Sequence, residues 1–153
     1  MSITQRIQEL QASIPDNVTV VAVSKFHPVE ALEEAYRAGQ RVFGESRAQE
    51  LVAKAKVLPQ DIEWHFIGPL QSNKVKEIAP FIHLIHSVDS LKLLQEIEKQ
   101  AAKNDRVIRV LLEIHVAKEE TNMVSAWKSA VPSWTHCLNC PMFPSAESWA
   151  WLP

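Results

Sequence analysis

Lys25 is the residue of this sequence best placed for covalent chemistry. It follows the apolar, β-branched run 18–23, which predicts a strand buried on both faces. In parallel α/β proteins, ligand sites lie at the carboxyl ends of strands. A lysine there can lose hydration, lower its pKa and attack an aldehyde to form a Schiff base. The alternative is a lysine that marks the solvent end of a strand, and position alone favours this alternative.

A second candidate segment, 43–50, follows the next predicted strand. Gly44 allows a sharp bend of the backbone, and Ser46 offers a helix cap. Ser46 and Gln49 have the spacing of a capping box, which predicts that a helix begins here. By itself, this segment is explained by a plain strand–turn–helix junction.

A third candidate is the segment Trp-His-Phe-Ile-Gly-Pro-Leu-Gln-Ser-Asn-Lys at 64–74, which mixes apolar and polar residues. His65, Gln71 and Asn73 surround Gly68, at the point where a strand is expected to end. A ligand site and a buried histidine followed by a polar loop explain this pattern equally well.

The fourth candidate follows the fourth predicted strand. Asp89 or Ser90 is best explained as a cap for the next helix. Ser87 lies nearer to the strand end and is placed to face a ligand.

Strand and helix patterns alternate along the chain, with strands about 20 to 25 residues apart. The predicted strands are 18–23, 41–43, 63–67, 81–86 and 107–116, and the helices between them have apolar faces of helical period. Such alternation predicts βαβ units and a parallel sheet, either open and doubly wound or closed into an eight-stranded barrel. No GxGxxG follows the first strand, which argues against a dinucleotide site. Five strands are too few to close a barrel of eight.

Bulk composition narrows the class of protein. The chain has 153 residues, of which 46% are hydrophobic and 22% charged, with a net charge of −2. This suits one packed domain. The absence of a basic block argues against nucleic-acid binding, and no apolar run approaches the roughly 20 residues that span a bilayer. The first ten residues lack the apolar core of a signal peptide, so we expect a cytoplasmic protein.

Together, the four segments resemble, in order and spacing, the motifs of the pyridoxal phosphate homeostasis protein family (YggS/PROSC type). The resemblance runs from the N-terminus to Thr121. It implies a (β/α)8 TIM-type barrel like the alanine racemase N-terminal domain, with about five of eight strands in residues 1–121. It implies pyridoxal 5′-phosphate (PLP) as the cofactor, bound as a Schiff base on Lys25. The other cofactor-binding positions that it implies are Ser46, His65, Gly68, Gln71, Asn73 and Ser87.

The resemblance also implies a role in buffering and delivering PLP, without robust catalysis and with PLP-dependent apo-enzymes as candidate partners of a monomeric protein. One departure is visible, because the family usually has asparagine where this chain has Ser46. A serine can still cap a helix, but it cannot present an amide to the cofactor. Two alternatives remain: an inert fragment, or a PLP-dependent amino-acid racemase, which would need a second acid/base group and usually a further domain.

The composition changes abruptly after Thr121. Four of the five tryptophans and both cysteines follow it, and the family's motifs are not matched there. Read one base out of frame, Met123-Val124 and Trp149-Ala150 are forced to encode glycine, where the family has glycine. We therefore expect residues 122–153 to be an out-of-frame tail that forms no domain. Because the family's glycine-rich phosphate-binding stretch belongs to the unmatched part, we expect impaired PLP binding.

A rival interpretation of the tail is a metal or redox module built on Cys137 and Cys140, with His136 beside them. A closed zinc site needs four ligands, and no second cysteine pair is present. A thioredoxin-like motif opens a helix after a strand, but Pro141 follows here and no strand pattern precedes it. We therefore expect no metal site in the tail.

Overall fold

Five strands form one parallel sheet, in the order in which they occur along the chain. The computed structural model describes residues 2–113. The strands are β1 Ala22–Val23, β2 Val42–Glu45, β3 Glu63–Phe66, β4 Ile82–Val88 and β5 Arg109–Leu112. Each strand pairs in parallel with the next. A sequential order without reversal is that of a barrel wall, because a doubly wound sheet reverses its order at a switch point.

One helix precedes the first strand, and the others connect successive strands. They are α1 Ile3–Ser13, α2 Val29–Arg37, α3 Ala48–Val57, α4 Val75–Ile78 and α5 Leu91–Lys103, and a 3₁₀ turn, Ser72–Lys74, precedes α4. At the start of α1, Ser2 and Gln5 form a reciprocal capping box, with each side chain accepting from the other residue's backbone N–H at 3.2 Å. The predicted alternation of strand and helix is therefore confirmed, together with the α/β class.

The core lies between one face of the sheet and the helices. Phe43, Trp64 and Phe66 project from β2 and β3 into this layer, where Leu51 of α3 and Ile97 of α5 are also buried. Burial of each such side chain contributes about 1.5–3 kcal/mol to folding. Since successive strand residues point to opposite faces, the residues between these positions lie on the other face of the sheet.

The first and fifth strands differ from their predicted lengths. Only Ala22–Val23 of the predicted strand 18–23 pairs as β1, and Val18 and Val23 are each about half exposed. Among residues 2–113, β1 has one neighbour, β2, which explains why its apolar run is incompletely buried. The last part of the predicted strand 107–116 lies outside the described residues.

Helix α3 begins one residue later than predicted. Its N-cap is Arg47, whose side chain makes no capping hydrogen bond, so the capping box predicted for Ser46 and Gln49 is wrong. The reason is tertiary, because Ser46 packs against Gly68 in the loop after β3. Ser90 is the N-cap residue of α5, as expected, but its side chain makes no capping hydrogen bond either.

The predicted tail 122–153, with its Cys137–Cys140 pair, lies outside the described residues. Among residues 2–113, no helix combines the length and the apolar character that a membrane crossing requires.

Candidate functional site

Four of the predicted site residues follow neighbouring strands at the same edge of the sheet. Lys25 lies two residues after β1, Ser46 directly after β2 and Gly68 two residues after β3, and Ser87 lies near the end of β4. The parallel pairing of Val23 with Gly44 places Lys25 and Ser46 at the same level. The sheet therefore brings these residues to its carboxyl edge, where α/β barrels bind ligands.

Close contacts join three of these residues. The Ser87 hydroxyl donates a hydrogen bond to the Gly68 carbonyl. A Cβ atom at Gly68 would lie 2.8 Å from both the Cβ and the carbonyl oxygen of Ser46, so only glycine fits without a shift of the backbone. The loop after β3 is thus held between the ends of β2 and β4.

Lys25 lies exposed in the turn after β1. The next residue, Phe26, has a left-handed backbone conformation with φ of 65°, and its N–H donates to Glu50 Oε2 at 3.3 Å. The Arg47 guanidinium lies 4.9 Å from the centre of the Phe26 ring. These contacts hold the turn against the start of α3. Within residues 2–113, no hydrogen bond or ion pair engages the Lys25 side chain.

A buried ion pair lies directly behind this turn. Lys54 Nζ of α3 is 2.5 Å from Glu45 Oε1 of β2, and it donates to the Ser24 carbonyl at 2.8 Å. The Ser24 hydroxyl donates to the same Glu45 oxygen at 2.7 Å. The Glu45 side chain is fully buried, and its Oε2 atom has no hydrogen-bond partner among the described residues. The network fixes the position of Ser24, and Lys25 is the next residue along the chain.

The sequence analysis missed this network, although a signal was present. Lys54 lies in the apolar stripe of α3, three residues after Leu51 and four before Leu58. Glu45 is two residues after the buried Phe43 and therefore on the same face of β2. A lysine and a carboxylate that both occupy core-facing positions indicate a buried pair, because neither charge is stable there alone.

His65 belongs to a second group of polar side chains. It is 5% exposed, and its Nδ1 atom lies 3.0 Å from His86 Nε2. Burial, together with the neighbouring His86 and His83, lowers the pKa of His65 to about 4. Burial also lowers the pKa of His86. At neutral pH the His65–His86 pair is therefore uncharged.

Gln71 and Asn73 lie beside the other candidates rather than among them. Gln71 directly precedes the 3₁₀ turn and Asn73 is within it, and both are exposed. Within residues 2–113, neither side chain hydrogen-bonds to another candidate residue. The structure therefore places them on the loop that follows β3, at the same end of the sheet.

The family is settled by a match that covers most of the chain. Residues 1–119 match the family described as "Alanine racemase, N-terminal domain". The chain belongs to this family. The membership agrees with the sequential parallel strands, and the prediction of a partial barrel of the alanine racemase N-terminal type is confirmed.

Two proteins that are similar to this chain are named pyridoxal phosphate homeostasis proteins. The protein of Schizosaccharomyces pombe is 43% identical over 117 residues, which cover 75% of this chain and 49% of that protein. The protein of Aquifex aeolicus is 47% identical over 103 residues, which cover 67% of this chain and 45% of that protein. The chain thus spans about half the length of the curated relatives that it matches. The resemblance predicted from the motifs is confirmed.

A solved structure that is similar to this chain supports the same fold. PipY of Synechococcus elongatus, in its form with PLP bound, is 33% identical to this chain and superimposes with a TM-score of 0.78. The superposition covers 99% of this chain and 72% of the PipY chain.

Proposed function

We propose that this protein binds PLP as a Schiff base on Lys25 and takes part in PLP homeostasis. The observation that carries the proposal is the position of Lys25, an exposed amine at the carboxyl edge of the sheet, beside Ser46 and the bonded pair Gly68 and Ser87. The names of the relatives and the PLP bound to PipY support the choice of ligand.

The contacts of the neighbouring lysines support Lys25 over the alternatives. Lys54 is buried against Glu45. Lys74, in the 3₁₀ turn after β3, is 2.9 Å from Glu77. Each of these amines is engaged by a carboxylate, so a ligand would have to displace an ion pair to reach it. Within residues 2–113, Lys25 has no such partner.

The residues around Lys25 fit a ligand of this kind. When bound, PLP would supply an aldehyde, and Lys25 would supply the amine that condenses with it, with loss of water. The Ser24–Glu45–Lys54 network positions the strand end that presents the amine. In this proposal the ligand is lined by Ser46, His65, Gly68, Gln71, Asn73 and Ser87.

The proposed role is binding rather than turnover. Racemisation at a PLP site uses acid/base groups on both faces of the cofactor. Near the carboxyl edge, within the described residues, Lys25 is the one lysine that is not held in an ion pair. In this proposal the protein exchanges PLP with PLP-dependent apo-enzymes, in keeping with the word homeostasis in its relatives' names. The proposal further includes a monomeric state and a cytoplasmic location.

Titration with PLP tests the proposal. The intact chain should show the visible absorbance of a PLP–lysine Schiff base in proportion to protein concentration. Lys25→Ala should lose this absorbance, whereas Lys56→Ala, at an exposed position of α3, should retain it. Equal absorbance in Lys25→Ala and in the unchanged protein would refute the proposal.

A further inference from the structure

Three side chains with metal-binding atoms meet near the amino ends of β3 and β4. Glu63 is the first residue of β3, and His65 follows two residues later on the same face of the strand. His83 lies on β4. One donor atom of each residue lies within 4.8 Å of the donor atoms of the other two. In particular, His83 Nε2 is 3.4 Å from Glu63 Oε2.

An irregularity in the sheet brings His83 into this group. Trp64 pairs with Ile82, but the next residue, His65, pairs with Leu84. His83 is therefore the extra residue of a β-bulge between two pairs that are otherwise consecutive. The bulge lets the ring of His83 stack on that of His65, with centroids 5.7 Å apart and planes inclined by 9°. Bulges commonly redirect a side chain in this way near functional sites.

We propose that Glu63, His65 and His83 form a binding site for a divalent transition metal ion, with zinc as the best match. Two imidazoles and one carboxylate are a donor set that zinc uses in proteins, with a fourth position open to water. Soft ions such as Cu(I) fit less well, because the group has no thiolate. Hard ions such as Mg²⁺ and Ca²⁺ also fit less well, because two of the three donors are nitrogen atoms.

The surroundings allow the three ligands to close on an ion. Tetrahedral zinc with bonds of about 2.0–2.1 Å brings its ligand atoms to roughly 3.4 Å from one another. The remaining movement includes turning the His83 ring out of its stack on His65, so that its in-plane lone pair faces the ion. Glu63 and His83 can make it, since their side chains are 49% and 35% exposed. His65 is buried, and His86 contacts its Nδ1 atom. A contact of this kind fixes the orientation of a metal-binding ring and leaves the other ring nitrogen to the ion.

This site shares His65 with the one proposed for PLP and is otherwise formed by different residues. Glu63 and His83 lie at the beginnings of their strands, whereas Lys25 and Ser87 lie at the ends. Only His65 is shared between the two residue sets. The inference does not rest on the proposed function, and its test needs no PLP.

Zinc binding to the chelator-treated protein tests the proposal. The chain should carry Cys137→Ser and Cys140→Ser, so that the thiols of the tail do not bind the ion. Isothermal titration calorimetry with zinc should then give one site. Glu63→Gln and His83→Gln should each weaken it at least tenfold, and His27→Gln, an exposed histidine after β1, should leave it unchanged.

Cobalt absorbance, combined with circular dichroism, distinguishes the loss of the metal site from a loss of folding. Co²⁺ in the same background should give the visible absorbance of a low-coordinate nitrogen and oxygen site, and His83→Gln should abolish it while the far-ultraviolet circular dichroism is unchanged. Absence of a site in the calorimetry, or a site of equal affinity in His83→Gln and the parent, would overturn the proposal.

Discussion

The ammonium of Lys54 lies 2.5 Å from Glu45 Oε1, in the buried layer between helix α3 and the sheet. Because the same ammonium donates to the carbonyl of Ser24, one lysine connects α3 to the ends of both β1 and β2. Lys25 is the next residue after Ser24. Its position is therefore coupled to a buried ion pair.

Loss of one partner in this pair should be costly. We expect Lys54→Met to lower the free energy of unfolding by about 3–5 kcal/mol, because it leaves the carboxylate of Glu45 buried and uncompensated. Lys56→Met, two residues later and exposed, should change it by less than about 0.5 kcal/mol. Urea denaturation measures both. The double variant Glu45→Gln/Lys54→Met should recover much of the loss, and additive effects of the two changes would contradict a coupled pair.

The contact between Gly68 and Ser46 predicts a second effect on stability. Gly68→Ala places a methyl group 2.8 Å from the backbone oxygen of Ser46, which cannot rotate away. We expect a loss of about 1–3 kcal/mol in thermal or urea unfolding. The matched control is Gly44→Ala, whose new methyl group meets side-chain atoms of Val21 and Ile67 at 3.1–3.3 Å. If Gly44→Ala costs as much as Gly68→Ala, the close backbone contact is not what restricts position 68.

Tyr36 offers a clean test of electrostatics, because it is the single tyrosine of the sequence. Its hydroxyl donates to both oxygens of Asp61 at 2.8 Å. Ionisation would remove the donor and place a second negative charge beside the carboxylate, so the pKa of Tyr36 is raised above its usual 10.0. Asp61→Asn should therefore lower the pKa, and the ultraviolet absorbance of tyrosinate against pH measures it. An unchanged titration curve would mean that the hydrogen bond is not formed.

Turnover is expected to be absent. With PLP and L-alanine, the protein should produce no D-alanine above the rate seen with PLP alone, because Lys25 lacks a visible acid/base counterpart among the described residues. Chiral chromatography of the amino acid after long incubation provides the measurement. Production of D-alanine that disappears in Lys25→Ala would identify the protein as an enzyme and contradict this account.

The sequence predicted the order of elements well, because each helix face and buried strand has a strong apolar pattern. It also predicted which polar residues follow the strands, since parallel strands end at a common edge. The capping box at Ser46 failed, because local spacing carries no information about the approach of Gly68 from another strand.

Two features of the interior were not predicted from the sequence. The core-facing positions of Glu45 and Lys54 were a signal of burial, but only the packing of α3 on β2 shows that the two residues pair with each other. The bulge at His83 is a shift in the register between β3 and β4. The alternation of residues along β4 alone does not show where such a shift occurs.

The most direct test of the central claim is to locate bound PLP in the chain. The protein is incubated with PLP, reduced with borohydride and digested, and the pyridoxyl group is located by mass spectrometry. The account predicts that the label lies on Lys25 and that Lys25→Arg, which keeps the positive charge, loses it. Label that lies mainly on another lysine, and that Lys25→Arg retains in full, would contradict the account.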